Sequence, residues 1–333
     1  MNKRLIYGDI GGTKTLLQSA EIMNGVVKEH GVHRYHSSDY KSFSDILGDF
    51  LDKSGDVHQT DCKPAAACFA VAGPVVNQRV QLTNLTWQID AAEISEVFSI
   101  PSVKLLNDFE AAASGVEILS PDDLVTLQEG HAQPKAMRVV LGAGTGMGVA
   151  WLVWQEDGYR PVSTEAGHID FAPTTDLQIQ LLESLQKKFH HVSVERVLSG
   201  AGLTHLFNFL QASAAEFTNL MAIQMDEDSG AAITALAIEQ NHPVAIRSLE
   251  LFAEIYGAYA GNLALAGLCR NGVYIAGGIA PRIMNTIQAG GFMRAFCDKG
   301  RFAELMREIP VRIITNPGVS LLGAKREAQI LSR

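Results

Sequence analysis

A chain of 333 residues, 47% of them hydrophobic and 19% charged, is long enough for about two domains with sizeable cores. Its formal charge of −9 argues against a general affinity for nucleic acid or for an anionic membrane, partners held mainly by excess Lys and Arg. Cys62, Cys68, Cys269 and Cys297 make no C-x-x-C pair and have no His at zinc-ligand spacing, which excludes the usual redox and structural-zinc motifs.

Arg4-Leu5-Ile6 reads as a short strand and leads into Tyr7-Gly8-Asp9-Ile10-Gly11-Gly12-Thr13-Lys14-Thr15; Leu16 to Ile22 reads as the returning strand. An acid at a strand end, followed by paired glycines and hydroxyls, suits a turn whose backbone N–H groups face an anion while the carboxylate manages a cation. That pattern fits Mg-nucleotide, although an ordinary hairpin also uses Gly-Gly. A P-loop match fails by one residue, because Thr13 stands where the second glycine belongs, and no G-x-G-x-x-G spacing is present. The basic start Met1 to Arg4 is followed by too short an apolar run for a signal sequence. Ala65 to Ala72 falls well below the roughly 20 residues of a membrane span. A soluble, cytoplasmic protein is expected.

Val26 to Glu29 and Val32 to Tyr35 read as further strand. A helix begins near Ser42, with Phe43, Ile46, Leu47, Phe50 and Leu51 at helical spacing. Ala65 to Ala72 is a buried strand ended by Gly73-Pro74, Arg79 to Asn84 alternates as a strand, and Asp90 caps a short helix. Ser102 to Leu106 is the next strand, and Asn107-Asp108-Phe109 lies at its end before helix-forming Glu110 to Ala113. Ligands of open α/β sheets bind at that strand edge, so the Asn-Asp pair is placed for chemistry, the competing role for Asp108 being a helix cap.

Met137 to Leu141, the turn Gly142-Ala143-Gly144-Thr145-Gly146-Met147-Gly148 and Val149 to Trp154 repeat the opening arrangement of strand, Gly/Thr turn and strand about 135 residues later. Four glycines in seven residues cost backbone entropy, which is understandable if the backbone must approach a ligand closely. Next, Val162 to Phe171 is strand-like but carries Glu165 and His168, groups able to hydrogen-bond a polyol. His190-His191 has no acidic neighbour in sequence and reads as surface. Leu177 to Phe189 is a helix, Glu195 falls in the first turn of a short helix, and helical spacing resumes at Leu203. The stretch to about His242 carries no chemistry that can be named, with Asp226-Glu227-Asp228 reading as a solvated face. After a long helix through Phe252, Tyr256 and Leu263, a strand ends in Gly277-Gly278, suited to the approach of a flat ring. Val311 to Thr315 is a last strand and Ser320 to Leu331 a closing helix.

Taken together, Gly8 to Thr13, Leu82-Thr83-Asn84 with Trp87, Asn107 to Phe109, Gly142 to Gly148, Glu165 to Phe171, Glu195 to Gly200 and Ala276 to Ile279 resemble the motifs of the bacterial glucokinase family. The branch is the one related to the Escherichia coli enzyme, within the actin-like and hexokinase-like ATPase superfamily. The motifs occur in family order over nearly the whole chain. The resemblance implies a two-lobed α/β fold of the actin-like, ribonuclease H-like kind, with a duplicated sheet core and a cleft that closes on sugar. The small domain would be 1–117 plus 318–333 and the large domain 118–317. It implies ATP-dependent phosphorylation of D-glucose at the 6-hydroxyl, with Asp108 as general base and Asn84, Asn107, Asp108, Glu165, His168 and Glu195 holding the sugar. Asp9 would orient Mg2+ through water. Gly11, Gly12, Thr13, Gly142, Gly144, Thr145 and Gly146 would hold the ATP phosphates, and Gly277 and Gly278 would line the ribose and adenine end. Lys14 would be dispensable. The expected partners are glucose and ATP, with neither nucleic acid nor membrane, and a homodimer is usual for the family. Thr164 and Ala166 stand beside Glu165 where many relatives have glycine, which leaves sugar preference less defined than reaction type. The zinc-containing sugar kinase and repressor branch is disfavoured because its Cys-x-Cys-Gly cluster is missing. The alternatives are a kinase for another hexose, an actin- or chaperone-like ATPase that serves a protein partner, and a sugar sensor without catalysis.

Overall fold

The computed structural model describes residues 3–53, 64–82, 85–213, 223–226 and 228–333. The chain divides into two units, Met1–Ser120 with Gly318–Arg333, and Pro121–Pro317.

In the first unit the strands are β1 (Lys3–Ile10), β2 (Lys14–Met23), β3 (Val26–Glu29), β4 (His33–His36), β5 (Pro64–Val71), β6 (Arg79–Gln81), β7 (Gln88–Asp90) and β8 (Val103–Asn107). The main sheet runs β3-β2-β1-β5-β8, with β4 also on β2. β1 and β2 are antiparallel, whereas β1, β5 and β8 are parallel. Side chains alternate between the two faces of this sheet. Ile6, Phe69 and Val71 pack with the helices α1 (Phe43–Lys53) and α2 (Ala91–Phe98) in one core. Leu5, Tyr7, Ala66, Cys68 and Ala70 build a second core with Ala111, Leu321, Ala324 and Ala328. Of the segment expected as strand from Arg79 to Asn84, Arg79–Gln81 is strand, in a two-stranded ribbon with β7. Asn84 lies outside the described residues.

Local sequence accounts for the helix starts. Ser42 Oγ accepts the Asp45 N–H at 3.2 Å while Asp45 accepts the Ser42 N–H at 3.0 Å, a reciprocal cap that starts α1. Asp90 accepts the Ala92 N–H at 2.8 Å and starts α2. The helix α3 (Asp108–Gly115) begins where β8 ends, and the C-terminal helix Val319–Leu331 lies against it. Small residues permit that approach, since a Cβ on Gly323 would collide with the Ala111 carbonyl and one on Gly115 with the Val319 carbonyl. Buried Glu327 ties the same elements together, bonded to Lys104 at 2.8 Å and to Ser114 at 2.7 Å. Burial opposes ionisation of Glu327, but the Lys104 ammonium, the Ser114 hydroxyl and Arg326 hold its carboxyl below the usual range.

In the second unit the strands are β9 (Leu124–Gln128), β10 (Arg138–Ala143), β11 (Met147–Gln155), β12 (Gly158–Thr164), β13 (Val273–Ala276) and β14 (Val311–Ile314), ordered β12-β11-β10-β13-β14-β9. Here β12, β11 and β10 form the antiparallel part, and β10, β13 and β14 the parallel part. The first five positions therefore repeat the arrangement of the first sheet, and β9 is an additional antiparallel edge strand. Its core gathers the helices α4 (Asp176–Phe189), α5 (Gly200–Ser213), α6 (Gly230–Gln240) and α7 (Pro243–Ala266) through Leu181, Leu206, Ile233 and Phe252. No helix among the described residues is long and apolar enough to cross a membrane.

Candidate active site

The opening turn joins β1 to β2. Gly11 N–H donates to the Lys14 carbonyl at 2.9 Å, closing the turn through Gly12 and Thr13. Parallel pairing fixes what lies beside it. Asp9 is opposite Ala70 and Ile10 opposite Val71, while Val71 is opposite Asn107, so Asp9 and the Asn107-Asp108 pair stand at the same carboxyl end of the sheet. Asn107, not Asp108, is the helix N-cap. Its Oδ1 accepts the Phe109 N–H at 2.9 Å and its Nδ2 donates to the Gly73 carbonyl at 3.0 Å. Asp108 occupies the first turn of α3, with Oδ1 also 2.9 Å from the Phe109 N. The backbone carbonyl of Asp108 accepts from Ser320 Oγ at 3.2 Å, so the C-terminal helix helps to place it.

The charge of Asp108 acts on Asp9 at this end of the sheet. Burial, followed by the charge of Asp108, pushes the Asp9 carboxyl up to about 6, and Lys14 partly offsets this by favouring the ionised form. Lys14, expected to be dispensable, thus has an electrostatic part in keeping Asp9 charged.

In the second unit the glycine turn joins β10 to β11. Gly144 N–H donates to the Gly146 carbonyl at 2.8 Å, and Gly200 N–H, at the start of α5, donates to the Gly144 carbonyl at 2.9 Å. Tyr256, fully buried on α7, donates its hydroxyl to the Leu141 carbonyl at 3.4 Å and accepts the Ala143 N–H at 3.2 Å. Gly277 has a φ of +82°, and a Cβ there would lie 2.5 Å from the Ala143 carbonyl oxygen. Its glycine character thus serves packing against the end of β10, whereas Gly278 lines open space.

That space is a cavity of 380 Å³, floored by Gly144 and Thr145 and bounded by Gly200 and Gly278. Asp228, Gly230 and Thr234 from the region around the start of α6, and Ile279 and Arg282 beyond β13, complete its wall. Asp228 is exposed as expected for a solvated acid, but it faces this cavity, with Oδ1 3.0 Å from where a Cβ on Gly200 would be. Asp228, expected as part of a solvated face, and the stretch to Thr234, expected to carry no chemistry, both line this cavity. The only local signal was an Asp-Ser-Gly start before a helix, too common to indicate a pocket.

Strand β12 stops at Thr164, and Ala166–His168 is a 3-10 turn where a continued strand was expected. Thr164 Oγ1 is the reason: it donates to the Val149 carbonyl at 3.0 Å and accepts the Ala166 N–H at 3.2 Å, while Tyr259 holds the Ala166 carbonyl at 2.7 Å. Glu165 and His168 point to solvent with side chains 75% and 59% exposed and 4.0 Å apart. Glu195, in the 3-10 turn Val194–Arg196, accepts the Met147 N–H at 2.9 Å. His191, read as lacking an acidic neighbour, has Asp170 at 3.3 Å, brought there by the bridge between Asp170 and Ser193; it remains exposed.

Two sheets that share a five-strand order, with a glycine turn joining β1 to β2 in one and β10 to β11 in the other, and with an acid or a cavity at the strand ends, define the actin-like ATPase fold in its sugar-kinase form. The glucokinase family model matches residues 6–330, and the chain belongs to that family. It is 41% identical to a glucokinase of Nostoc punctiforme, with 96% of this chain and 97% of the relative aligned. The crystal structure of a glucokinase from an Antarctic psychrotroph is similar, with a TM-score of 0.86 and 32% identity over 98% of this chain and 99% of that one. A glucokinase of the ROK family from Streptomyces griseus, solved with glucose and AMPPNP, shares the fold with a TM-score of 0.59 at 19% identity, covering 98% of this chain and 99% of that one.

Proposed function

We propose that this protein transfers the γ-phosphoryl group of ATP to the 6-hydroxyl of D-glucose, releasing glucose 6-phosphate and ADP. The observation that carries the reading is the match to glucokinases over nearly the whole chain, in a chain that keeps Asp108 at the carboxyl end of β8.

Phosphoryl transfer through a loose transition state asks for in-line placement and charge neutralisation more than for a strong base. Asp108 accepts the 6-hydroxyl proton as the O–P bond forms, and its place in the first turn of α3 keeps the carboxylate at a helix N-terminus, where negative charge is favoured. Asn107 is fixed by its two backbone bonds and offers its side chain beside the base. Glu165, His168 and Glu195 hydrogen-bond the other sugar hydroxyls, and an epimer would leave one of these groups unpaired. The amides around Gly11, Gly12 and Thr13, and those of Gly142 to Gly146, receive the phosphates, while the cavity beside Gly278 and Asp228 takes the nucleoside end.

Asp9 is the residue that would orient Mg2+, through water. The fit is electrostatic, because a carboxyl raised to about 6 by burial and by Asp108 gains most from an adjacent cation. With ATP bound, Asp9 would hold the ion's water shell, and the metal would supply neutralisation of phosphate charge.

The test is a coupled assay of Mg-ATP consumption against glucose, fructose, mannose, galactose and N-acetylglucosamine, with a no-sugar control. ADP formation that depends on glucose is expected. Equal ADP formation without sugar would turn the assignment to an ATPase that serves a protein partner, and preference for another sugar would move the substrate.

A further inference from the structure

We propose that Ser37 is a positioning residue for the first phosphate turn, holding its backbone in the orientation that presents an amide to the nucleotide. The inference rests on the reading of that turn as an ATP-phosphate site. Ser37 follows β4, 24 residues beyond Thr13 in sequence (37 minus 13), and is fully buried. Its hydroxyl donates to the Gly11 carbonyl at 2.8 Å, and its N–H donates to the Thr13 carbonyl at 3.1 Å. Its Oγ also lies 3.0 Å from Thr15 Oγ1, on a side chain that is itself fully buried. The Ser37 proton is committed to the Gly11 carbonyl, so Thr15 is the donor in that last contact.

A planar trans peptide carries its C=O and the following N–H on opposite sides. Drawing the Gly11 carbonyl inward to Ser37 therefore directs the Gly12 N–H the other way, out of the turn. Paired glycines allow the Gly11-Gly12 peptide to rotate at little steric cost, so the turn by itself has no reason to prefer this orientation. Ser37 supplies the preference, and it acts before nucleotide arrives. Catalysis gains when donors are already aimed at the charge they will meet. Thr15 contributes a bond to Ser37 but none to the turn carbonyls, which makes it a control for the loss of a buried hydroxyl.

Mg-ADP titration of Ser37→Ala, Thr15→Val and wild type, followed by steady-state kinetics with glucose and Mg-ATP, tests this. Ser37→Ala is expected to bind Mg-ADP about tenfold more weakly and to raise the KM for ATP by a similar factor, with the KM for glucose within about twofold of wild type. Thr15→Val should stay within about twofold of wild type on all three values. Wild-type affinity in Ser37→Ala, or an equal loss in Thr15→Val, would overturn the proposal. If Ser37→Ala does not fold, Ser37→Cys, whose thiol is a poor donor, is judged by the same criteria. A wild-type protein that binds no Mg-ADP would overturn the phosphate reading of the turn and this inference with it. Nucleotide binding unaffected by Ser37→Ala would overturn the inference alone.

Discussion

The Glu195 carboxylate and the Met147 amide are joined by a 2.9 Å hydrogen bond across 48 residues of sequence, tying the second glycine turn to an acid assigned to the sugar. Gly146 makes room for the bond: a Cβ there would lie 2.5 Å from Glu195 Oε2. The obstruction is the far end of a flexible side chain, so Gly146→Ala should fold with a melting temperature near that of wild type. Its Glu195 would be displaced, and the KM for glucose should rise about tenfold, the loss of one charge-assisted hydrogen bond. A glucose titration alongside thermal melting separates the two effects.

Asp108→Asn removes the proton acceptor while leaving a group of similar shape at the start of α3. The expected result is a kcat reduced by about 10²- to 10⁴-fold, with the glucose dissociation constant changed only a few fold. A variant that keeps more than about a tenth of the wild-type rate would take Asp108 out of the general-base role.

Asp9 gives a pH signature of definite sign. Its carboxyl is raised from 3.8 to about 6 in the folded protein, so the folded chain holds that proton more tightly than the unfolded chain does. Without nucleotide or metal, the group therefore costs stability above about pH 6, and the cost fades as pH falls from 6 toward 4. Asp9→Asn should be the more stable protein at pH 8, by about 1–3 kcal/mol, with the difference shrinking by pH 4 in urea titrations. Activity should behave oppositely, with kcat/KM for Mg-ATP declining as pH drops through about 6 in wild type. Lys14→Met should move that decline to higher pH, because Lys14 favours the charged form of Asp9.

The helix pair that carries Asp108 has a packing signature. Gly323→Ala would drive a methyl group into the Ala111 carbonyl in the middle of the contact between α3 and the C-terminal helix. Backbone cannot yield there as a side chain can, so a loss of about 1–3 kcal/mol is expected, or more, read from denaturant unfolding. Because Ser320 on the same helix bonds the Asp108 carbonyl, kcat should fall as well, even where the variant remains folded.

Much of the site was legible from local chemistry. Strand ends, glycine-rich turns and the Asn107-Asp108 pair are short-range patterns, and the structure places them at strand ends. Helix starts at Ser42 and Asp90 were equally legible, since a cap is settled within three residues. The 3-10 turn at Ala166–His168 was not, because Thr164 ends the strand by bonding a carbonyl on β11, a partner no local window contains. The same reason hid the wall of the cavity beside Gly278, which Asp228 lines together with Gly200 and Gly144 from distant parts of the sequence.

The sequence by itself determined the reaction class and named the candidate site residues, because both readings rest on functional groups at short, ordered spacings. Tertiary structure decided how those groups are held and charged. Parallel register set Asp9 and Asp108 at the same end of the sheet, where the Asp108 charge helps to raise the Asp9 carboxyl, Ser37 and Glu195 each bond a glycine turn from a distant position, and Gly277 packs against the end of β10. Glycine turns have little conformational preference of their own, so what aims their amides must come from residues that only folding brings near.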